Sequence, residues 1–329
     1  MPIDTSTAPP RWEIAAHSFV EHVLVAALAK KVTKFFRRSA FHYIGPNLAG
    51  EYWLPGFRLA PALPSDDFPM MVNAERVLFI DQTVEAIDNL HSIFVADEIA
   101  RRHAARLSLL LNIGLYRPPP EQIWVLRSQP EQPYQISERR HWGFIDPKGL
   151  PSVMPAKGAE CPLGPFEGSV MDFWPTGGLL ACPSEIRRIL RGVNHRGGSF
   201  SEAFDKCARL FQVARVAGKM FGSVGLAYQI AAVEAITKAG TGYDSFADFM
   251  RKNLPATDGL DSYLDLLYGS VRSAHFHAGE FPLGEFVATR MDITDTEACG
   301  RTDLGFFGSR IIRKAIMAWI MRTITEAGE

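Results

Sequence analysis

Cysteine is scarce in this chain and scattered where it occurs. Cys161, Cys182, Cys207 and Cys299 form no C-x-x-C pair, which excludes a cysteine zinc knuckle and argues against a disulfide framework. The expected setting is the reducing cytoplasm. An excess of either charge is also lacking. The 35 basic residues meet 36 acidic ones, so bulk charge gives no support for nucleic-acid binding and any such site must be local. No uninterrupted apolar run approaches the roughly 20 residues of a membrane helix. The partly apolar stretch from Ile14 to Phe36 is broken by His17, Glu21 and His22, and no small-residue cleavage site follows it. A soluble protein with no membrane partner is the expectation. Cofactor motifs are missing as well. NHRGG (194–198) lacks the strand and GK[ST] ending of a phosphate loop, and WPTGGLLACPS (174–184) offers Cys182 no histidine or carboxylate. Neither a cofactor nor a metal is expected.

What is present suits two domains. At 329 residues and 47% hydrophobic content the chain has material for more than one compact unit. Residues 14–38 read as a helix with a basic tail (Lys30, Lys31, Lys34, Arg37, Arg38). Prolines then break short aromatic and β-branched runs such as EYWLPGFRL and RVLFI, which predicts short strands and loops. The spacing of Ile87, Leu90, Phe94, Ile99, Leu107 and Leu110 or Leu111 predicts a helix over 83–113 with these residues as its apolar face, and QIWVLR (122–127) reads as a strand. The first 146 residues are thus an α+β domain. Residues 147–183 hold seven prolines and six glycines, too many for a regular element of any length, so 147–184 is a connecting segment.

Residues 185–329 read as an all-α helical bundle. EIRRILRG (185–192) is a basic helix ending at glycine, and Arg187, Arg188 and Arg191, with Arg196, form the best local basic patch for RNA phosphate; a solvated helix face is the competing account. Ser199 and Glu202 form a capping box opening a segment that reaches Ala239, with Gly222 and Gly225 marking a kink or break. Helices follow Ser245, run from Asp258 or Asp261 to about Gly279, and run from about Ser309 to Glu326 with Ile312, Ile316, Trp319 and Ile320 buried.

The chemistry-bearing stretch is Leu266 to Glu280, LLYGSVRSAHFHAGE. On an α-helix Tyr268, Arg272 and His275 share a face at i, i+4 and i+7, whereas His277, five residues beyond Arg272, lies about 140° round the axis. For Arg272 and His277 to converge, either the last turn unwinds before Gly279 or a second subunit supplies half the site. An account without function makes His277 a partner of the helix dipole and Arg272 a surface ion-pair residue. A His275-x-His277 metal site is disfavoured, because i and i+2 point to different sides.

Tyr268-x-x-x-Arg272-Ser273-x-x-x-His277-x-Gly279 resembles the R-x4-6-H signature of the HEPN superfamily, in its variants from prokaryotic defence proteins. AAVEAITKAG (231–240) is similar to that group's Glu-bearing helix, with Glu234 at the acidic position. The resemblance covers roughly 185–327. It implies a metal-independent endoribonuclease working as a homodimer, with antiphage defence as its setting. It implies attack of an RNA 2′-hydroxyl on the adjacent phosphate, His277 as acid/base or phosphate donor, and Arg272 stabilising phosphate charge. Glu234 either orients Arg272 or forms a helix-to-helix ion pair. The sequence departs from the pattern at Ser273, where a more strongly polar residue is usual, and at Ala278, which separates His277 from the glycine. His275 either replaces or assists His277. The alternative is a catalytically silent HEPN scaffold that binds nucleotide, RNA or a protein; a third reading is a plain dimerisation or signalling module. The N-terminal domain is then a sensor, a regulator that meets a partner, or an RNA-positioning surface.

Overall fold

A computed structural model describes residues 31–54, 56–62, 75–117, 123–129, 132–140, 153–164, 179–286 and 296–325. The N-terminal half is built on a four-stranded antiparallel sheet in the order β1-β5-β4-β3, where β1 is Thr33–Ile44, β3 is Tyr52–Leu54, β4 is Phe57–Pro61 and β5 is Glu75–Ala86; the short β2, Asn47–Leu48, lies outside it. Twelve residue pairs join β1 to β5, from Thr33 opposite Ala86 to Ile44 opposite Glu75. Strand alternation sends Phe41, Tyr43, Leu59, Leu78 and Ile80 into the main core, and Ala40, Ala60 and Phe79 into a small cluster of their own. The expected helix over 14–38 is therefore wrong at its end: Lys34, Arg37 and Arg38 lie on β1, because TKFFRRSAFHYI is aromatic, pairs along its whole length, and has a buried partner for Arg38. The rest of that predicted helix, up to residue 30, lies outside the described residues.

Helix α1 (Asn89–Leu111) begins after β5 has run on to Ala86, six residues later than the expected start at 83. Asp88 caps it, its Oδ1 accepting from the His91 N–H at 2.8 Å. Its early apolar face also differs from the expected one. Leu90 and Phe94 are 62% and 65% exposed, while Ser92, Ala96, Ala100 and Ala104 are buried. Small residues let the helix lie close to the sheet, where Gln82 Nε2 donates to Ala96 O at 2.6 Å. Beyond Ala104 the helix is buried on all sides, as it passes from the sheet to the C-terminal helices. Arg106 grips Asp205 through two hydrogen bonds (2.6 and 3.0 Å), and Arg313 donates to the carbonyls of Leu109 and Leu110. Core residues from both halves of the chain form one continuous cluster.

His103, on the same helix, stacks on Phe57 with ring centroids 3.9 Å apart. Burial, reinforced by the Arg106 and Arg102 charges, pushes its pKa down from 6.5 to about 4. The unfolded chain takes up this proton first as pH falls, so the stabilisation is complete above pH 6.5 and is lost progressively from 6.5 towards about 4. Thermal midpoints measured across that window are expected to fall with pH, and His103→Gln should flatten the slope.

β6 (Ile123–Gln129) confirms the strand expected at 122–127. It pairs with β7 (Gln132–Arg140) as a separate two-stranded sheet and does not join the four-stranded one. Within the Pro/Gly-rich segment the described strands are two residues long: Leu163–Gly164 pairs with Cys182–Pro183, and Leu179–Leu180 with Asn47–Leu48, all in parallel.

The C-terminal helices are α2 (Ile186–Arg196), α3 (Gly198–Ala217), α4 (Gly222–Thr237), α5 (Phe246–Asn253), α6 (Leu260–Asp265), a π-helix (Leu266–Ala278) and α7 (Thr296–Thr325). Helix α2 does not stop at Gly192. That glycine lies in mid-helix because Ile324 packs on it, and a Cβ there would sit 2.9 Å from Ile324 Cγ2. The Ser199–Glu202 capping box does not form: α3 starts at Gly198, which places Ser199 inside the helix, and Glu202 pairs with Lys206 at 2.6 Å. The expected break between α3 and α4 falls at 218–221. There Gly218 and Gly225 let the two backbones touch, since a Cβ on Gly225 would lie 2.8 Å from Gly218 Cα. Ser245 caps α5, accepting from the Asp248 N–H. Helix α7 starts 13 residues before the expected Ser309, and buries Ile312, Ile316, Trp319 and Ile320 as predicted. No helix among the described residues is long and apolar enough to cross a membrane.

Candidate active site on a π-helix

The stretch LLYGSVRSAHFHA continues α6 without a break but winds as a π-helix. Its i→i+5 hydrogen bonding brings residues five apart onto one side, where an α-helix would separate them. This resolves the geometric problem of the sequence in a third way. Arg272 Nη1 and His277 Nε2 lie 3.2 Å apart within one chain, with neither an unwound turn nor a second subunit. Because a guanidinium only donates, a hydrogen bond across this contact uses Nε2 as its acceptor. Gly279 ends the helix in the left-handed region at φ 69°, as its position in the sequence predicts; its N–H donates to His275 O at 3.2 Å.

Glu234 anchors the arrangement from α4. It is 9% exposed, and its Oε2 accepts from Arg272 Nε (3.3 Å) and Nη2 (3.2 Å) while Oε1 accepts from Tyr268 OH (3.2 Å). Both donors come from one face of the π-helix and converge on one carboxylate. The Arg272 guanidinium also lies 5.4 Å from the Tyr268 ring and 5.7 Å from the Phe276 ring. Four contacts thus hold the arginine while its Nη1 edge faces His277. Exposed Phe276 was not singled out from the sequence. It braces the site edge-on against Tyr228 at 5.5 Å, and the only hint in the sequence is its place between the two histidines.

The remaining candidates separate. His275 turns away from Arg272, its Nδ1 3.1 Å from Glu280 O and its ring against Phe281 at 5.2 Å. The two histidines therefore serve different partners, and no group of three or more His, Cys, Asp or Glu among the described residues is arranged to hold a metal. Ser273 is partly buried beside Arg272 and forms no side-chain hydrogen bond with the described residues. Of the arginines on α2, Arg187 donates to Trp53 O (2.7 Å), Arg188 to Thr325 Oγ1 (2.8 Å) and Arg196 to Thr323 O; Arg191 is exposed. They lie along the last turn of α7 and the edge of the sheet, and none of these contacts involves the Arg272–His277 pair.

No protein-family model, no curated protein and no solved structure matches the chain.

Proposed function

We propose that the chain is a metal-independent endoribonuclease whose reacting groups are Arg272 and His277. The carrying observation is their 3.2 Å contact on a π-helix, with Arg272 fixed by Glu234. An RNA phosphate that displaces the Arg272–His277 contact meets the Nη1 edge of the guanidinium on one side and the imidazole on the other. His277 takes the proton of the 2′-hydroxyl as that oxygen attacks phosphorus; the P–O5′ bond breaks, and the 5′-oxygen leaves with the proton that the His277 imidazolium gives back. Arg272 stabilises the extra negative charge that the phosphate carries in the transition state. Glu234 and Tyr268 are positioning residues acting through Arg272, and Ser273 and His275 flank the site. The resemblance to the HEPN superfamily adds the expectation of a homodimer, in which a two-fold axis sets two such pairs along one cleft, and of a cytoplasmic role in antiphage defence. The arginines of α2 are then an outlying phosphate surface. Leu90, Ile93 and Phe94, all exposed in the first turns of α1, are where the N-terminal module would meet a regulatory partner.

One observation favours the silent-scaffold alternative: every guanidinium nitrogen of Arg272 already has a partner within the chain. A single experiment separates the two. Purified protein with RNA and EDTA is expected to yield fragments ending in a 2′,3′-cyclic phosphate and a 5′-hydroxyl, and His277→Ala to lower the rate by about 100-fold or more. RNA that binds but stays intact assigns the scaffold, and equal cleavage by His277→Ala excludes this site.

A further inference from the structure

A cavity of about 380 Å³ opens where α3 turns into α4 and both face the first half of α7. This is within the range that small-molecule sites occupy. Arg215 on α3, Lys219 at the corner and Arg301 on α7 bring three positive charges to its wall; Glu285, from the loop after the π-helix, brings one negative charge. That carboxylate sits on the N-terminus of α4. It accepts from the Ser223 N–H at 2.5 Å and from Ser223 Oγ at 2.8 Å, while the Leu283 N–H donates to Ser223 Oγ at 2.9 Å. Helix α4 has no N-cap side chain of its own, so the first-turn N–H groups and the helix dipole are served by a carboxylate reaching in from a loop. The fold thus already places an anion at this point. Gly222 and Gly305 keep the wall thin: a Cβ on either would stand 3.1 Å from Leu283 Cδ1.

A second, independent feature lies two turns along α4. Gln229 is 3% exposed and lines the cavity together with Ser309, to whose Oγ it donates at 2.8 Å. Its Oε1 is enclosed without a hydrogen-bond partner among the described residues. Exchanging the amide oxygen and nitrogen only converts the unmatched acceptor into an unmatched donor. A hydroxyl inserted between Gln229 and Ser309 satisfies either arrangement, because it both donates and accepts. Six residues separate Ser223 from Gln229, about 9 Å along the helix, so one extended ligand can place an anion at one end and a hydroxyl at the other.

We propose that this cavity binds a small phosphate ester of a hydroxylated carbon chain, such as a sugar phosphate. Its phosphate replaces Glu285 at the start of α4, near Arg215 and Arg301, and a hydroxyl engages Gln229 and Ser309. The site is distinct from Arg272 and His277, and its test needs no RNA cleavage, so it stands or falls apart from the ribonuclease reading.

Thermal unfolding of the full chain with 10 mM ribose 5-phosphate, AMP, inorganic phosphate or ribose tests it. Ribose 5-phosphate or AMP is expected to raise the midpoint by about 2 °C or more, and phosphate or ribose alone by less than half as much. The stronger of the two esters distinguishes a sugar phosphate from a nucleotide source. Arg301→Ala and Gln229→Leu should each abolish the shift. Glu285→Gln should tighten binding several-fold, since the competing charge is gone. Each variant's midpoint without ligand reports its folding, and Arg301→Ala carries the test if Gln229→Leu does not fold. No shift with either ester overturns the proposal, as does an equal shift in wild type, Arg301→Ala and Glu285→Gln. Inorganic phosphate matching the esters overturns the hydroxyl half.

Discussion

Arg272→Ala is expected to lower the rate of RNA cleavage by roughly 10²–10³-fold, the usual effect of removing a donor that stabilises transition-state charge. Three features of the site support a loss of this size. The guanidinium is fixed before substrate arrives, by two bonds to Glu234 and by flanking Tyr268 and Phe276, so little reorganisation accompanies the reaction. The side chain is only 19% exposed, which strengthens its field relative to bulk water. Its Nη1 also contacts His277, so one substitution disturbs both members of the proposed pair. Arg272→Lys should recover little: an ammonium is a point charge and cannot serve Glu234, His277 and phosphate with one planar fork. Glu234→Gln keeps the shape of the anchor and weakens its charge, so kcat is expected to fall more than KM changes. A merely structural Glu234 would instead lower the thermal midpoint and leave the kcat of the folded fraction intact. A rate for Arg272→Ala within threefold of wild type, in protein that is folded by circular dichroism, rejects Arg272 as a reacting group.

The parts of this site that the sequence exposes and conceals have different physical origins. Gly279 as a helix stop and Ser245 as a cap are local signals, and both appear where the sequence puts them. Glu234 was legible as an acidic residue on a neighbouring helix, but not which of its two readings holds; its two bonds to Arg272 are an ion pair and an orientation at once. What the sequence hid was the winding of the chain from Leu266 to Ala278. A period of 3.6 residues puts Arg272 and His277 on different faces, and only the wider π repeat makes them neighbours. The first half misled for another reason. Counting large apolar residues selected Leu90 and Phe94 as the buried face of α1, whereas close approach to the sheet demanded Ser92, Ala96 and Ala100. Basic residues 34–38 looked like a solvated helix end because the carboxylate that receives Arg38 lies 43 residues away, on another strand.

That carboxylate carries the largest stability effect expected in the molecule: Asp81→Ala should cost roughly 3–5 kcal/mol, the range for breaking a buried ion pair from one side. Asp81 is fully buried in β5 and is shared by two arginines. Arg38 reaches it from β1 through two parallel bonds (2.7 and 2.9 Å), and Arg58 from β4 through one of 2.5 Å. The register makes this unavoidable, since Arg38 and Arg58 both pair directly opposite Asp81, one on each side. Arg58 continues the network to Glu51, whose carboxyl it holds below the usual range and which also accepts from Trp53 Nε1 and the Gly158 N–H. Three strands therefore meet at Asp81, and the segment around residue 158 joins the same network through Glu51. Alanine takes this shared counter-charge from two guanidinium groups whose side chains are about nine-tenths buried, and leaves Arg58 with Glu51 as its remaining carboxylate. The midpoint of thermal unfolding should drop on the order of 10 °C, with little dependence on salt because the pair is shielded from it. Asp81→Asn, which keeps the acceptor oxygen but not the charge, should lie between. The decisive comparison is with Arg38→Met, Arg58→Met and Asp81→Leu combined. If the cost of Asp81→Ala comes from stranded charge, the triple apolar variant should be more stable than the single one; if it is less stable, the network itself supplies the stability and the stranded-charge account fails.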